Sequence, residues 1–60
     1  MYKCTKLCIG KSNSEYLVQI AQGDKVQVIK KLRDVVQVRL NSKQIVYISK
    51  STLMSNFKPI

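Results

Sequence analysis

Sixty residues, 45% of them apolar and carrying a formal charge of +8, allow one small domain around one core and exclude a multidomain architecture. Ordering a chain this short costs roughly 90 kcal/mol at about 1.5 kcal/mol per residue, so nearly every apolar side chain is needed in that core. With no His, and with Glu15, Asp24 and Asp34 as the only carboxylates, the usual acid–base pairs and hydrolytic metal sites have no residues to build them.

Apolar and polar residues alternate with period two through most of the chain, and Val, Ile, Thr and Tyr are abundant, which predicts β-structure throughout. The first strand is expected from Tyr2 to Ile9, ending at Gly10, followed by an exposed loop over Lys11–Glu15. Tyr16, Val18 and Ile20 share one face of the next run, and Gly23-Asp24 marks a sharp turn. Lys25–Lys31 reads as a strand with Val26 and Val28 inward, and Leu32-Arg33-Asp34 connects it to Val35–Leu40. There Val36, Val38 and Leu40 lie opposite Val35, Gln37 and Arg39. Asn41-Ser42-Lys43 is a tight hairpin link into Gln44–Ser49, with Val46 and Ile48 on one side and Ile45 and Tyr47 on the other. Ser49–Leu53 suits a single 3₁₀ turn near Ser51, and Phe57 packs a last short strand that Pro59 stops. The sum is an all-β domain over residues 1–60, a small five-stranded antiparallel barrel.

The order of these features resembles a Src-homology-3-type barrel, most closely its compact bacterial members, over Tyr16–Leu53. Ile20-Ala21-Gln22-Gly23-Asp24-Lys25-Val26-Gln27-Val28 resembles the family's apolar-x-x-Gly-Asp-x-apolar-x-apolar segment. Asp34–Arg39 resembles the strand after the second loop, and Val46–Leu53 the closing aromatic-apolar strand with its short turn and apolar anchor. Val46 stands where the family prefers Gly. The resemblance implies a fold more than a ligand. The position of the family's groove Trp matches Val35, and its Pro and second Tyr match Ser49 and Thr52, so the aromatic groove that receives proline-rich peptides is missing. A barrel of the oligonucleotide-binding type would keep the strands and move the surface.

Charge is the strongest functional signal. A net charge of about 2 to 8 is ordinary for a small soluble domain, which places this chain at the upper edge. The sharper reading is an anionic partner, because neutralising phosphates releases counterions. Lys30, Lys31 and Arg33 cluster at one link, and Lys25, Arg39 and Lys43 add to them as candidate phosphate contacts. Gln37 and Tyr47 are candidates for hydrogen bonding and stacking. A second reading is a protein-interaction module, an inhibitor or adaptor of the phage or mobile-element type. It would dock on an acidic host protein, with Val35, Ile45 and Tyr47 as an apolar centre. A sheet edge could also support a homodimer.

Cys4 and Cys8 would lie about 13 Å apart on one strand, too far for a disulfide, and two Cys without His make no closed zinc site. Two reduced thiols, no cofactor, no metal and no small-molecule substrate are expected. No apolar run approaches the roughly 20 residues that span a bilayer, and Lys3 and Lys6 interrupt the start of the chain. A cytoplasmic, non-enzymatic binding module, with no signal peptide and no membrane partner, is the expectation.

Overall fold

The computed structural model describes all of residues 1–60. The strands are β1 (Tyr2–Cys4), β2 (Cys8–Ser12), β3 (Leu17–Ile20), β4 (Lys25–Lys31), β5 (Val35–Leu40), β6 (Ile45–Ser49) and β7 (Phe57–Pro59), with one helix, α1 (Lys50–Asn56), before the last. They form a single seven-stranded sheet in the order β3-β2-β6-β5-β4-β1-β7, antiparallel at every junction. The sheet curls into a half-barrel. No helix is long and apolar enough to cross a membrane.

Period-two patterning does the main work. The even-numbered residues Cys4, Ile20, Val26, Val36, Val38, Val46 and Ile48 are buried, and Leu53 and Phe57 complete the core. Gly10 faces inward among them, and a Cβ there would lie 3.0 Å from Val46 Cγ2 and 3.2 Å from Ile48 Cγ2. Both neighbours are β-branched and stiff. Gly10→Ala is therefore expected to destabilise the fold by about 1–3 kcal/mol in urea unfolding; an unchanged midpoint would show that β2 can move outward at no cost.

The number of strands corrects the expected five. The run Tyr2–Ile9 is not one strand, because the chain turns over Thr5–Leu7 and sends β1 and β2 to different parts of the sheet. Gly10 sits inside β2, which continues to Ser12, so only a tight turn remains of the expected loop. In that turn Glu15 adopts a left-handed φ of 66°, and the Ser12 N–H donates to the Tyr16 carbonyl at 2.9 Å. Tyr16 does not join Val18 and Ile20; it precedes β3 and is 73% exposed. At Gly23, φ is 94°, which favours glycine, and the Asp24 carboxylate accepts from the Ala21 N–H at 3.0 Å. The Asn41–Lys43 link is a tight turn, with the Lys43 N–H donating to the Leu40 carbonyl at 2.9 Å.

The expected 3₁₀ turn is instead the α-helix α1, and Pro59 lies inside β7 rather than after it. Polar residues hold this short helix in place. The Ser49 hydroxyl caps it by accepting from the Thr52 N–H at 3.0 Å, Ser55 donates to the Ser51 carbonyl at 2.8 Å, and Leu53 plugs the core. At its end the Asn56 amide donates to the carbonyls of Lys6 and Leu7, both at 3.4 Å, and the Thr5 N–H donates to the Asn56 carbonyl at 2.7 Å. Loss of the cap in Ser49→Ala should cost about 1 kcal/mol in thermal or urea unfolding. An unchanged stability would mean that Leu53 alone sets the helix. Pro59 is tolerated because β7 is an edge strand, paired only with β1.

Candidate functional site

Residues paired in register project from the same face of a sheet, so the outward surface follows from the pairing. Tyr47 faces Gln37 on one side and Lys11 on the other, and Gln37 faces Lys30. One outward row therefore reads Lys30–Gln37–Tyr47–Lys11 across β4, β5, β6 and β2. A second reads Gln27–Arg39–Ile45 across β4, β5 and β6. The Gln37 amide donates to the Tyr47 hydroxyl at 3.2 Å, which fixes both side chains and leaves the tyrosine half-buried. Of the residues anticipated from sequence, Lys30, Gln37, Arg39, Tyr47, Val35 and Ile45 thus share one outward patch.

The other candidates separate. A β-bulge between Val28 and Lys30 inserts Ile29 as an extra residue and shifts the alternation by one. Lys30 consequently projects outward opposite Gln37, whereas Lys31 pairs with buried Val36 and turns to the other face. There it lines a cavity of about 230 Å³ with Tyr2, Val36, Lys50, Leu53 and Met54. Arg33 and Lys43 sit in the turns at opposite ends of β5, roughly 17 Å apart along a strand of that length. Of the expected Lys30-Lys31-Arg33 cluster, Lys31 thus turns to the opposite face from Lys30, and Arg33 lies in the turn that follows β4.

Lys25 belongs to an arrangement that the linear sequence does not display. Lys3 is paired with Lys25 on one side and with Lys58 on the other, so three lysines stand abreast on β7, β1 and β4, all exposed. Directly opposed side chains have Cβ atoms about 5 Å apart, and like charges so placed destabilise a sheet. No carboxylate interrupts them: Glu15, Asp24 and Asp34 all lie between strands. Lys25 is two residues from Gln27 on the outward face of β4, which joins this row diagonally to Arg39. Outward strand positions thus carry Lys3, Lys11, Lys25, Lys30, Arg39 and Lys58 and no carboxylate, in two groups. One is the Lys58–Lys3–Lys25 row with Arg39 near it; the other is Lys30 and Lys11, at the two ends of the Lys30–Gln37–Tyr47–Lys11 row roughly 17 Å further along the strands. Lys3, Lys11 and Lys58 are outward lysines that sequence reasoning did not single out, because their placement depends on which strands become neighbours.

The two cysteines also depart from expectation. The turn over Thr5–Leu7 brings them together, both as free thiols. Cys4 Sγ donates to the Lys6 carbonyl at 2.9 Å and lies 3.6 Å from the Ile20 carbonyl oxygen, and Cys8 is the register partner of Ile20. Burial, with the charge and hydrogen bond of Cys4 behind it, pushes the Cys8 thiol up to about 11. In the unfolded chain this thiol ionises near its ordinary value of 9.0, while the folded one keeps its proton. The unfolded state therefore binds fewer protons in that window, so the contribution is complete below about pH 9 and lost as pH rises towards 11. Wild type should lose thermal stability more steeply than Cys8→Ala across this range. Parallel curves would refute the assignment.

Comparisons with protein-family models, with curated proteins and with solved structures return no match to this chain. The chemistry of the surface therefore rests on its own residues.

Proposed function

We propose that this chain is a non-enzymatic binding module of the Src-homology-3-like type, and that its outward cationic face binds the phosphate backbone of nucleic acid with little sequence selectivity. The observation that carries the reading is the Lys58–Lys3–Lys25 row. Three like charges abreast lower the stability of the free domain, and a polyanion lying along them removes that penalty while releasing its counterions. Arg39 lies near this row, Lys30 and Lys11 form the second group, and the Gln37–Tyr47 pair offers a hydrogen-bonding and partly exposed aromatic surface between those two lysines. With one partly exposed ring and no array of base-reading side chains, backbone contacts dominate the expected affinity.

The topology supports the family resemblance. β1 pairs with both β4 and β7, the strands β4, β5 and β6 form a meander, and a short helix separates β6 from β7. On this reading β1, β4, β5, β6 and β7 would be the five strands of such a barrel, with the hairpin β2–β3 in the place of its long first loop. A cytoplasmic setting fits this reading.

The second reading, docking on an acidic protein surface, draws on Val35, Ile45 and Tyr47. They lie outward and only half exposed beside Arg39 and Gln37. Titration of labelled duplex and single-stranded DNA and RNA at about 50 mM salt decides between the two. Binding that weakens steeply as salt is added supports the first. Absence of binding to all of them, with stoichiometric capture of one acidic protein from nuclease-treated extract, replaces it with the second.

A further inference from the structure

The sheet has two open edges, and they are built differently. The β7 edge carries Lys58 and Pro59, a charge and a residue without an N–H, both of which deter pairing with another strand. The β3 edge, Leu17-Val18-Gln19-Ile20, has neither. Its backbone bonding can be assigned from register. The Ser12 N–H donates to the Tyr16 carbonyl, and Gly10 faces Val18 and Cys8 faces Ile20. In an antiparallel pair, hydrogen-bonded residues alternate with non-bonded ones, so Tyr16, Val18 and Ile20 direct their backbone groups towards β2. The N–H and C=O groups of Leu17 and Gln19 then point away from the sheet, with no strand beside them.

The side chains at this edge are apolar and exposed. Leu17 is 72% exposed and Ile9, on the same outward face of β2, is 56% exposed, with Leu7 and Tyr16 exposed at the ends of the hairpin. From Leu7 to Gln22 the only charged residues are Lys11 and Glu15, which cancel in the count of charge. In space Lys11 is the register partner of Leu17, and Asp24 and Lys25 line the cleft beside Val18 and Gln19, so the edge carries charges of both signs. Two cationic copies repel each other less here than along the uninterrupted lysine row.

We propose that β3 is a self-association edge, at which a second copy of this chain adds its own β3 antiparallel about a twofold axis through Val18. This register is the one that uses all the free groups. Leu17 of each copy pairs with Gln19 of the other, making four N–H···O=C bonds, and Val18 faces its own counterpart between them. Residue pairs whose numbers sum to an even value also share a face, so Leu17 and Gln19 remain outward in both copies. An antiparallel twofold of this kind keeps the two outward faces on the same side. The dimer is isologous, closed, and presents two cationic faces on one continuous sheet. This association does not depend on the nucleic-acid reading.

The test is molar mass by light scattering between about 10 μM and about 1 mM, the range in which a small interface fills. Wild type is expected to rise from 6.9 kDa towards twice that mass. Gln19→Pro removes an N–H that serves no intrachain bond, and Leu17→Lys puts like charges across the seam; each should hold the mass at 6.9 kDa with the circular dichroism spectrum unchanged. Should the proline variant fail to fold, the lysine variant decides. Amide exchange at Leu17 and Gln19 should slow on concentration, while exchange along β7 stays constant. A wild type that stays at 6.9 kDa throughout, variants that associate as wild type does, or protection gained at β7 instead would each overturn the proposal.

Discussion

Replacing Lys3, Lys25 and Lys58 together by Ala is expected to weaken binding to a labelled DNA duplex roughly 10²- to 10³-fold at about 50 mM salt. It should also lower the slope of log K against log salt by about 2.7, because each lost phosphate contact removes about 0.9. The same substitutions should leave folding stability unchanged or raise it. Lys3 opposes Lys25 and Lys58 directly, and relieving each like-charge pair is worth about 0.2–1 kcal/mol. Loss of binding together with a gain in stability is a signature that solvation alone does not produce. If the three lysines only keep the chain soluble, affinity and slope stay where they are. Arg33→Ala and Lys43→Ala supply the internal comparison: they reduce the net charge equally per residue, yet lie in turns at opposite ends of β5. Each should shift the slope by less than one of the row lysines does. Equal effects at all five positions would mean that net charge, and not placement, sets the affinity.

How much of this surface the sequence displays depends on the range over which its cause acts. Alternation is local, and it correctly sends Val36, Val38, Val46 and Ile48 inward and Gln37, Arg39 and Tyr47 outward. Turns with their own chemistry, such as Gly23-Asp24 and Asn41–Lys43, are local too. Neighbouring strands are not. Lys3 and Lys58 lie at opposite ends of the chain and become adjacent only because β1 pairs with β7. That pairing follows from the break over Thr5–Leu7, a stretch whose composition gives no warning of a turn: it has no Gly, Pro, Asn or Asp. What stabilises the break is distant in sequence. Thr5, Lys6 and Leu7 all hydrogen-bond Asn56. The bulge at Ile29 is a further non-local event: alternation already sets Lys30 and Lys31 on opposite faces, and the bulge makes Lys30 the outward one of the two. The helix α1 was obscured for the opposite reason. Its polar residues look like a loop until the Ser49 cap and the burial of Leu53 are in place.

Phe57→Ala should be the most damaging single change, costing about 3–5 kcal/mol by deleting a buried aromatic ring. At roughly 0.05–0.15 kcal/mol per residue, a 60-residue domain holds only about 3–9 kcal/mol in all, so the variant should be largely unfolded or close to it at room temperature. The site explains why relaxation offers little rescue. Phe57 ends α1 and begins β7, is 4% exposed, and stands opposite Cys4 in register, so its ring ties helix, edge strand and β1 to the core at one point. Met54, on the same helix but outside the core, should tolerate Ala within about 0.5 kcal/mol. Urea midpoints for the two variants measure the contrast directly. If Phe57→Ala keeps a midpoint close to that of wild type, β7 is not anchored by this ring and the lysine row has lost its physical support. Phe57→Leu separates folding from function, since it restores most of the apolar volume and should recover most of the stability. Because Lys58 is the next residue, that recovery should bring salt-dependent binding back with it; stability regained without binding would place the anion contacts elsewhere on the outward face.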